Sequence, residues 1–407
     1  MSTDYDIIVI GLGVMGAAAL AEVAARGVRV LGLERFDIPH ALGSSHGGTR
    51  VIRKAYYEDP RYVPLLHASW DGWQDLSAEV GEALLIPTGG LHFGPRESPE
   101  LRAVLAAAEA HGLAHQVLDA AQIHRRFETF HPAPDDWGVL EADAGVLFAE
   151  RAVMALVEVA RRRGAEVRAR EEVLDLELGG ERVIVTTDRA RYTAAKVVLA
   201  LGPWWPRWAA RLEPGPAATV PMTVTRQVQC WFATRDPAAF RPDRFPIFLR
   251  YGLGARATSD RLPEDGDDDM VYGLPEAAFP GLKVALHAVA TGQVETDAPR
   301  VERVSDPDQV DRRLRPEDEA RVRRWVSRFL PLADGPLLGA RVCMYTSSPD
   351  GHFALGPHPA DPRLIALSGF SGHGFKLAPA VGAIAADYAI DGTSPRTIDL
   401  FHWDAPR

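Results

Sequence analysis

Cysteine is nearly absent from this chain: 407 residues hold two, Cys230 and Cys343. That excludes a disulfide framework and a cysteine-built zinc cluster, and it suits a reducing, cytoplasmic setting. Lysine is almost as scarce, with four (Lys54, Lys196, Lys283, Lys376) among 45 basic residues. Positive charge is not in excess either. The 55 acidic residues leave a net charge of -10, which disfavours nucleic acid and anionic membrane surfaces as partners. No apolar run approaches membrane-spanning length, and no basic segment precedes an apolar one near the start, so neither a spanning helix nor a secretory leader is expected. Metal-ligand spacing is missing as well. The acidic stretch 264–269 lacks the calcium-loop pattern and its closing Glu, and reads as a solvated turn. Repeats and low-complexity tracts are absent. What remains is an ordinary globular composition, 46% hydrophobic and 25% charged, on a chain longer than one core usually supports, so two domains are expected.

The first 34 residues carry the strongest pattern. Ile7-Ile-Val-Ile10 is an apolar strand, Gly11-Leu-Gly13-Val-Met15-Gly16 a glycine turn, and an Ala-rich helix follows. A second strand then ends at Glu34. Gly11 permits the tight turn, Gly13 admits a pyrophosphate to the backbone, and Gly16 lets the helix pack on the strand. The anion would sit at the helix N-terminus, where free N–H groups and the dipole favour it. Glu34 is placed to accept hydrogen bonds from ribose hydroxyls, which argues for FAD or NAD and against a 2′-phosphate.

Two further apolar runs end in glycine, Val197-Val-Leu-Ala-Leu-Gly202 and Leu364-Ile-Ala-Leu-Ser-Gly369, the mark of buried parallel strands meeting a ligand. They predict a discontinuous nucleotide-binding unit that the chain leaves and rejoins. One dinucleotide half with a long β-rich insertion suits FAD better than NAD. Helices are predicted over 63–80, with Trp70 and Trp73 on the apolar side, and over 99–112, 151–163, 317–330 and 378–390. Short strands are predicted at 85–95, 166–170, 173–178, 183–187 and 196–201, with Gly179-Gly180 as a hairpin turn. Residues 221–300 read as strand-rich. The fold class is therefore α/β: a Rossmann-like, discontinuous FAD-binding domain (1–87, 147–220, 336–391), a β-rich substrate domain with an antiparallel or mixed sheet (88–146, 221–335), and a tail at 392–407.

A chain that uses arginine nearly everywhere keeps lysine at few places. Lys54 and Lys196 read as solvated. Lys283 in Gly-Leu-Lys-Val-Ala-Leu-His287 and Lys376 in Gly-His-Gly-Phe-Lys-Leu-Ala lie in apolar settings, where a lysine is unfavourable unless paired. Both are candidates for function. Arg53 reads equally well as a surface ion pair, and each cysteine as a small buried hydrophobe.

Five stretches occur in order: Ser44-Ser45-His46-Gly47-Gly48-Thr49-Arg50-Val-Ile-Arg53, Tyr62-Val-Pro-Leu65, Gly281-Leu-Lys283, Cys343-Met344-Tyr345-Thr346, and Gly369-Phe-Ser-Gly372-His-Gly374-Phe-Lys376. Together they resemble the amine-oxidising flavoprotein family of monomeric sarcosine oxidase and N-methyltryptophan oxidase, nearly end to end. The resemblance implies FAD linked through Cys343, with cofactor contacts from Gly11, Gly13, Met15, Gly16, Glu34, Arg35, Ser44, Thr49, Arg50, Val173, Gly202, Cys343, Met344, Gly372, Gly374 and Lys376. It implies that Arg53 and Lys376 hold a substrate carboxylate, with Tyr272, His287 and Tyr345 on the substrate side. Lys283 would assist dioxygen activation, and His46 and Arg50 would lie along the flavin. The activity implied is oxidative demethylation of an N-methyl amino acid, sarcosine first, by a monomer using dioxygen. Alternatives are a bulkier or cyclic secondary amino acid (N-methyltryptophan, pipecolate) and a flavoprotein dehydrogenase passing electrons to a partner. Ala277, Ala278 and Phe279 suggest an apolar pocket wall. The family usually shows His and Asp where this chain has Ser45 and Gly48.

Overall fold

The computed structural model describes residues 3–212, 220–252, 270–287, 302–396, 399–401 and 403. The acidic stretch 264–269 lies outside the described residues. Asp4–Ile10 pairs in parallel with Val30–Leu33 on one side and Arg191–Leu199 on the other. Arg191–Leu199 pairs in parallel with Asp361–Ser368 in turn. The apolar runs 7–10, 197–199 and 364–367 are buried on both faces, and so do not alternate. Helices Val14–Ala25, Ala149–Arg162 and Ala378–Asp391 share the core on one face. Their alanines allow close approach: a Cβ at Gly382 would lie 2.7 Å from the Ala18 backbone carbon. Tyr5, Ile8, Tyr192 and Trp205 fill the other face. Val173–Glu177 and Val183–Thr187 form the expected hairpin, though the link between these strands is five residues, 178–182.

The second sheet is mixed, as the sequence predicts. Its order is Leu337–Ser347, Thr223–Phe232, Leu282–Leu286, Val271–Leu274, Ile247–Arg250, Gly90–Pro95, Asp136–Glu141, His115–Asp119. All neighbours run antiparallel except Ile247–Arg250 against Gly90–Pro95. Strand alternation decides what each face does. Cys230, Phe232, Phe248, Val271, Leu282 and Val284 point into a core with Val322, Trp325 and Phe329 of helix Pro316–Phe329. Residues directly opposite one another share a face. The pairs Trp231–Lys283, Gln229–Ala285, Ala285–Tyr272, Gln227–Cys343 and Thr225–Tyr345 therefore put Gln229, Tyr272, Lys283, Cys343 and Tyr345 together on the other.

Leu337–Ser347 is a correction, because the sequence reading assigned it to the nucleotide-binding unit. It is hydrogen-bonded along its length to Thr223–Phe232, and the chain returns to the first sheet only at Ala354. A small third sheet joins Thr49–Ile52, Gly145–Phe148 and Leu85–Pro87, so the run 85–95 is two strands in different sheets. Among the described residues no helix is long and apolar enough to cross a membrane.

Candidate active site

The three glycine turns lie at one end of the parallel strands, each with positive φ: 85° at Gly11, 52° at Gly202 and 69° at Gly369. They open into a groove of about 250 Å³. Gly11, Gly13, Met15, Glu34, Arg35 and Ser44 line it from the N-terminal unit. Val173, Gly202, Cys343, Met344, Gly372 and Gly374 line it from the rest of the chain. Gly16 lies beneath the lining, where any Cβ would strike the Gly11 carbonyl oxygen. Glu34 is buried and accepts from the Leu12 N–H at 2.7 Å and the Phe36 N–H at 3.0 Å. A carboxylate has about four acceptor positions, so about two are left for ribose hydroxyls. Arg35 is held by Asp308 at 2.9 Å and Glu172 at 3.3 Å.

The loop after the second strand carries the charged part of the site. Glu150, in the first turn of its helix, accepts from the Gly47 and Gly48 N–H groups at 2.7 and 2.9 Å. Lys283 Nζ donates to the carbonyls of Gly47 at 2.9 Å and Thr49 at 2.7 Å. Burial, then the Arg50 charge, pushes the Lys283 amine far below its ordinary value. Arg50 donates to the carbonyls of Ser44 and Thr49, both at 2.8 Å, and to Cys343 Sγ at 3.8 Å. His46 is buried with neither ring nitrogen partnered, and burial followed by Arg50 lowers its pKa to about 3. His46, Thr49 and Lys283 line neither the groove nor the cavity below; Thr49 enters the site through its carbonyl. Ser45 Oγ accepts from the Val14 N–H at 3.1 Å, capping the helix at the glycine turn. Gly48 has φ 74°, and a Cβ there would meet Phe279 at 2.7 Å and Ala278 at 2.9 Å. Ala278 and Phe279 thus cover this loop, and none of Ala277, Ala278 and Phe279 forms the pocket wall expected of them.

Beside the groove is a cavity of about 70 Å³ whose lining includes Arg50, Arg53, Tyr272, His287, Tyr345 and Lys376. The structure brings these predicted residues together. It also adds Glu58, Gln229, Met270 and His373, which the sequence reading missed. Arg53 is 2% exposed, which overturns a surface ion pair. Its Nη2 donates to both Glu58 oxygens at 2.7 and 2.9 Å, and Nη1 to the Ala55 carbonyl at 2.8 Å. Burial would raise the Glu58 pKa, but Arg53, His373 and Lys376 hold it near 2. Lys376 Nζ donates to the His373 carbonyl at 2.7 Å. Burial and the repulsion of Arg53 bring Lys376 down to about 7. Tyr345 and His287 bond at 3.2 Å, and burial keeps His287 neutral with a pKa of about 4. His373 Nε2 meets the Gly351 carbonyl at 2.9 Å, so Nδ1 accepts from the Tyr56 hydroxyl at 2.6 Å. Arg53, Glu58 and protonated Lys376 sum to one positive charge and Arg50 on the same lining adds another, so the cavity favours an anion.

The sequence matches the DAO family description, "FAD dependent oxidoreductase", over residues 6–388. The chain belongs to this family. It is 38% identical over 403 residues to the monomeric sarcosine oxidase of Streptomyces avermitilis, covering 98% of this chain and 97% of that one. Identity to the N-methyl-L-tryptophan oxidase of Yersinia pestis is 33% over 399 residues, with 98% of each chain covered. The solved structure of NikD, described as an unusual amino acid oxidase, superposes with a TM-score of 0.81 at 24% identity, covering 98% of each chain; that likeness concerns the fold.

For an FAD-dependent oxidoreductase the groove has fitting chemistry: left-handed glycine turns, a helix N-terminus and a buried acid at one end, a free thiol and an arginine at the other. Two expectations need correction. Lys54 is buried, ion-paired with Asp143 at 2.9 Å and lying over the Trp70 ring. Lys196 is half-buried and donates to the Tyr388 carbonyl at 2.9 Å. Cys230 keeps its structural role, with burial raising its thiol to about 12. Glu58 had a faint signal in Tyr-Tyr-Glu-Asp-Pro, an acid five residues beyond Arg53. Gln229 had only its strand alternation with Gln227.

Proposed function

We propose that this chain is a flavin-dependent oxidase of small N-methyl amino acids, with sarcosine as first substrate. The observation that carries the reading is the one-charge cradle of Arg53, Glu58 and Lys376 in a cavity opening beside the cofactor groove. A water-sized group needs roughly 10–15 Å³ of such space, so a cavity of about 70 Å³ takes about five to seven of them. Sarcosine has about that many heavy atoms. The volume favours it over N-methyltryptophan.

When bound, the flavin accepts a hydride equivalent from the N-methyl carbon and hands the electrons to dioxygen. Everything else falls to this chain. Gly11, Gly13 and the helix N-terminus hold the pyrophosphate, Glu34 the ribose, and Cys343 supplies the thiol for a covalent link. Arg53 and protonated Lys376 orient the carboxylate, while Tyr272, Tyr345 and neutral His287 exclude bulk water. Arg50 offers positive charge where the site gains electrons. Lys283 holds or releases a proton at Nζ as negative charge builds nearby, which supports an oxidase rather than a dehydrogenase. The resulting imine hydrolyses to formaldehyde and glycine, and dioxygen leaves as hydrogen peroxide. We place the protein in the cytoplasm as a monomer, in line with its free, buried cysteines and the name of its Streptomyces relative. Adding sarcosine to the yellow protein without oxygen tests this: the flavin band bleaches. A band that stays unbleached removes sarcosine, and a colourless protein that binds no added FAD removes the flavin reading.

A further inference from the structure

Among the described residues, one polar side chain lining the small cavity has no partner. Arg50, Arg53, Tyr57, Glu58, His287 and Tyr345 each bond a protein group. So do Tyr272, through Tyr345, and His373 and Lys376. Gln229 does not. Its side chain is 2% exposed and its Oε1 is buried without a hydrogen-bond donor. An unpaired buried carboxamide is unfavourable by roughly 1–3 kcal/mol, so a ligand that satisfies it has a use for it.

The surroundings say which atom the ligand needs. The cavity is rich in donors: Arg50, Arg53 and Lys376 all present N–H groups. Its other side-chain acceptors already have partners: both Glu58 oxygens receive Arg53, His373 Nδ1 receives the Tyr56 hydroxyl, and His287 Nδ1 is hydrogen-bonded to the Tyr345 hydroxyl. The carboxamide oxygen lies against Gly47, whose missing Cβ makes room for it. A half-turn of the amide exchanges its oxygen and nitrogen and presents the oxygen to a ligand. A secondary-amine amino acid brings two kinds of polar group. Its carboxylate takes donors; its N–H needs an acceptor. Gln229 sits on the sheet face shared by Lys283, Tyr272 and Tyr345, in the row of Ala285 and Tyr272.

We propose that Gln229 is a substrate-contacting residue, its carboxamide oxygen accepting the N–H of the substrate's secondary amine. This rests on the amine-oxidase reading above and extends it to the second pole of the substrate. One contact fixes the N–H, and with the carboxylate cradle it fixes which way the nitrogen lone pair and the N-methyl group point. Selection for amines over isosteres without N–H follows.

The test uses flavin-loaded wild type, Gln229→Leu and Gln229→Glu with two ligands. Sarcosine is followed by anaerobic flavin bleaching, and the thioether isostere (methylthio)acetate, which lacks the N–H, by perturbation of the flavin spectrum. Gln229→Leu should weaken sarcosine half-saturation by about tenfold, one hydrogen bond's worth, and leave the thioether unchanged. Gln229→Glu keeps an acceptor oxygen and should retain the preference for the amine. Equal weakening of both ligands in Gln229→Leu, or no weakening of either, overturns the assignment while the oxidase reading stands. If Gln229→Leu loads no flavin, Gln229→Glu decides, and loss of its amine preference overturns the assignment. Wild type that neither bleaches nor binds the thioether removes both readings together.

Discussion

Lys283 and Lys376 are the residues whose surroundings make the sharpest demands. Lys283 holds two carbonyls at 2.9 and 2.7 Å beneath the loop that also carries Arg50. Methionine fills similar space without the charge. Lys283→Met should therefore slow reoxidation of the reduced enzyme by dioxygen by roughly 10²–10³-fold, measured by stopped flow, while reduction by sarcosine changes little. Lys376 titrates near 7 in the free site, and only its protonated form attracts an anion. Affinity for (methylthio)acetate, fully ionised throughout, should hold below pH 7 and fall by about tenfold per unit above it. A flat profile from pH 6 to 9 would remove Lys376 from the cradle. Cys343 is buried in the groove lining with Arg50 beside it. Acid precipitation of wild type should bring down a yellow pellet, and Cys343→Ser should leave the flavin in the supernatant. Yellow colour in the mutant pellet would place the link elsewhere.

The loop–helix–strand arrangement around Gly48 shows what holds glycine at one of the two positions that depart from the family pattern. Aspartate there would need a positive φ and would press its Cβ into Phe279 and Ala278. Gly48→Asp is thus expected to destabilise the protein by about 2–4 kcal/mol, a strained backbone plus overpacking, read as a lowered urea midpoint at unchanged slope. Elements of this kind also mark how far the sequence carries. The runs 7–10, 197–201 and 364–369 announced parallel strands because burial on both faces leaves an unbroken apolar signature. The helix bounds followed from their periodicity. Register did not, because pairing Gln227 with Cys343 joins residues more than a hundred positions apart and no local pattern records it. The same limit hid Glu58 and Gln229, whose meaning comes from what faces them. It misplaced Lys54, whose partner Asp143 and cover Trp70 come from other elements. Helix Ala120–Arg126 was legible in principle, since Asp119 and Gln122 form a reciprocal capping box.

For the whole molecule, the groove is lined by residues of both large sheets, so a ligand filling it joins layers that otherwise meet through side chains and loops. A cofactor bound to the folded state alone, at a hundred times its dissociation constant, adds about 2.7 kcal/mol. Cys343→Ser stripped of flavin should melt several degrees below the same protein with excess FAD, and the gap should grow with FAD concentration. Identical melting curves would mean that the groove forms no closed FAD site.

The two cations of the cradle lie at opposite ends of the chain. Trp73, in the helix that follows Arg53, donates through Nε1 to the Lys376 carbonyl across 303 residues, at 2.8 Å. Strand Arg191–Leu199 likewise waits for Asp361–Ser368 on its far side. During synthesis the glycine turn and the arginine emerge early, but the partners that complete them come last. An amino-terminal fragment leaving the ribosome carries an unpaired apolar strand edge and half an anion site, a state open to wrong pairings. The cradle is therefore complete only once the segment carrying Lys376 has been made, and fragments that end before it should depend more on chaperones.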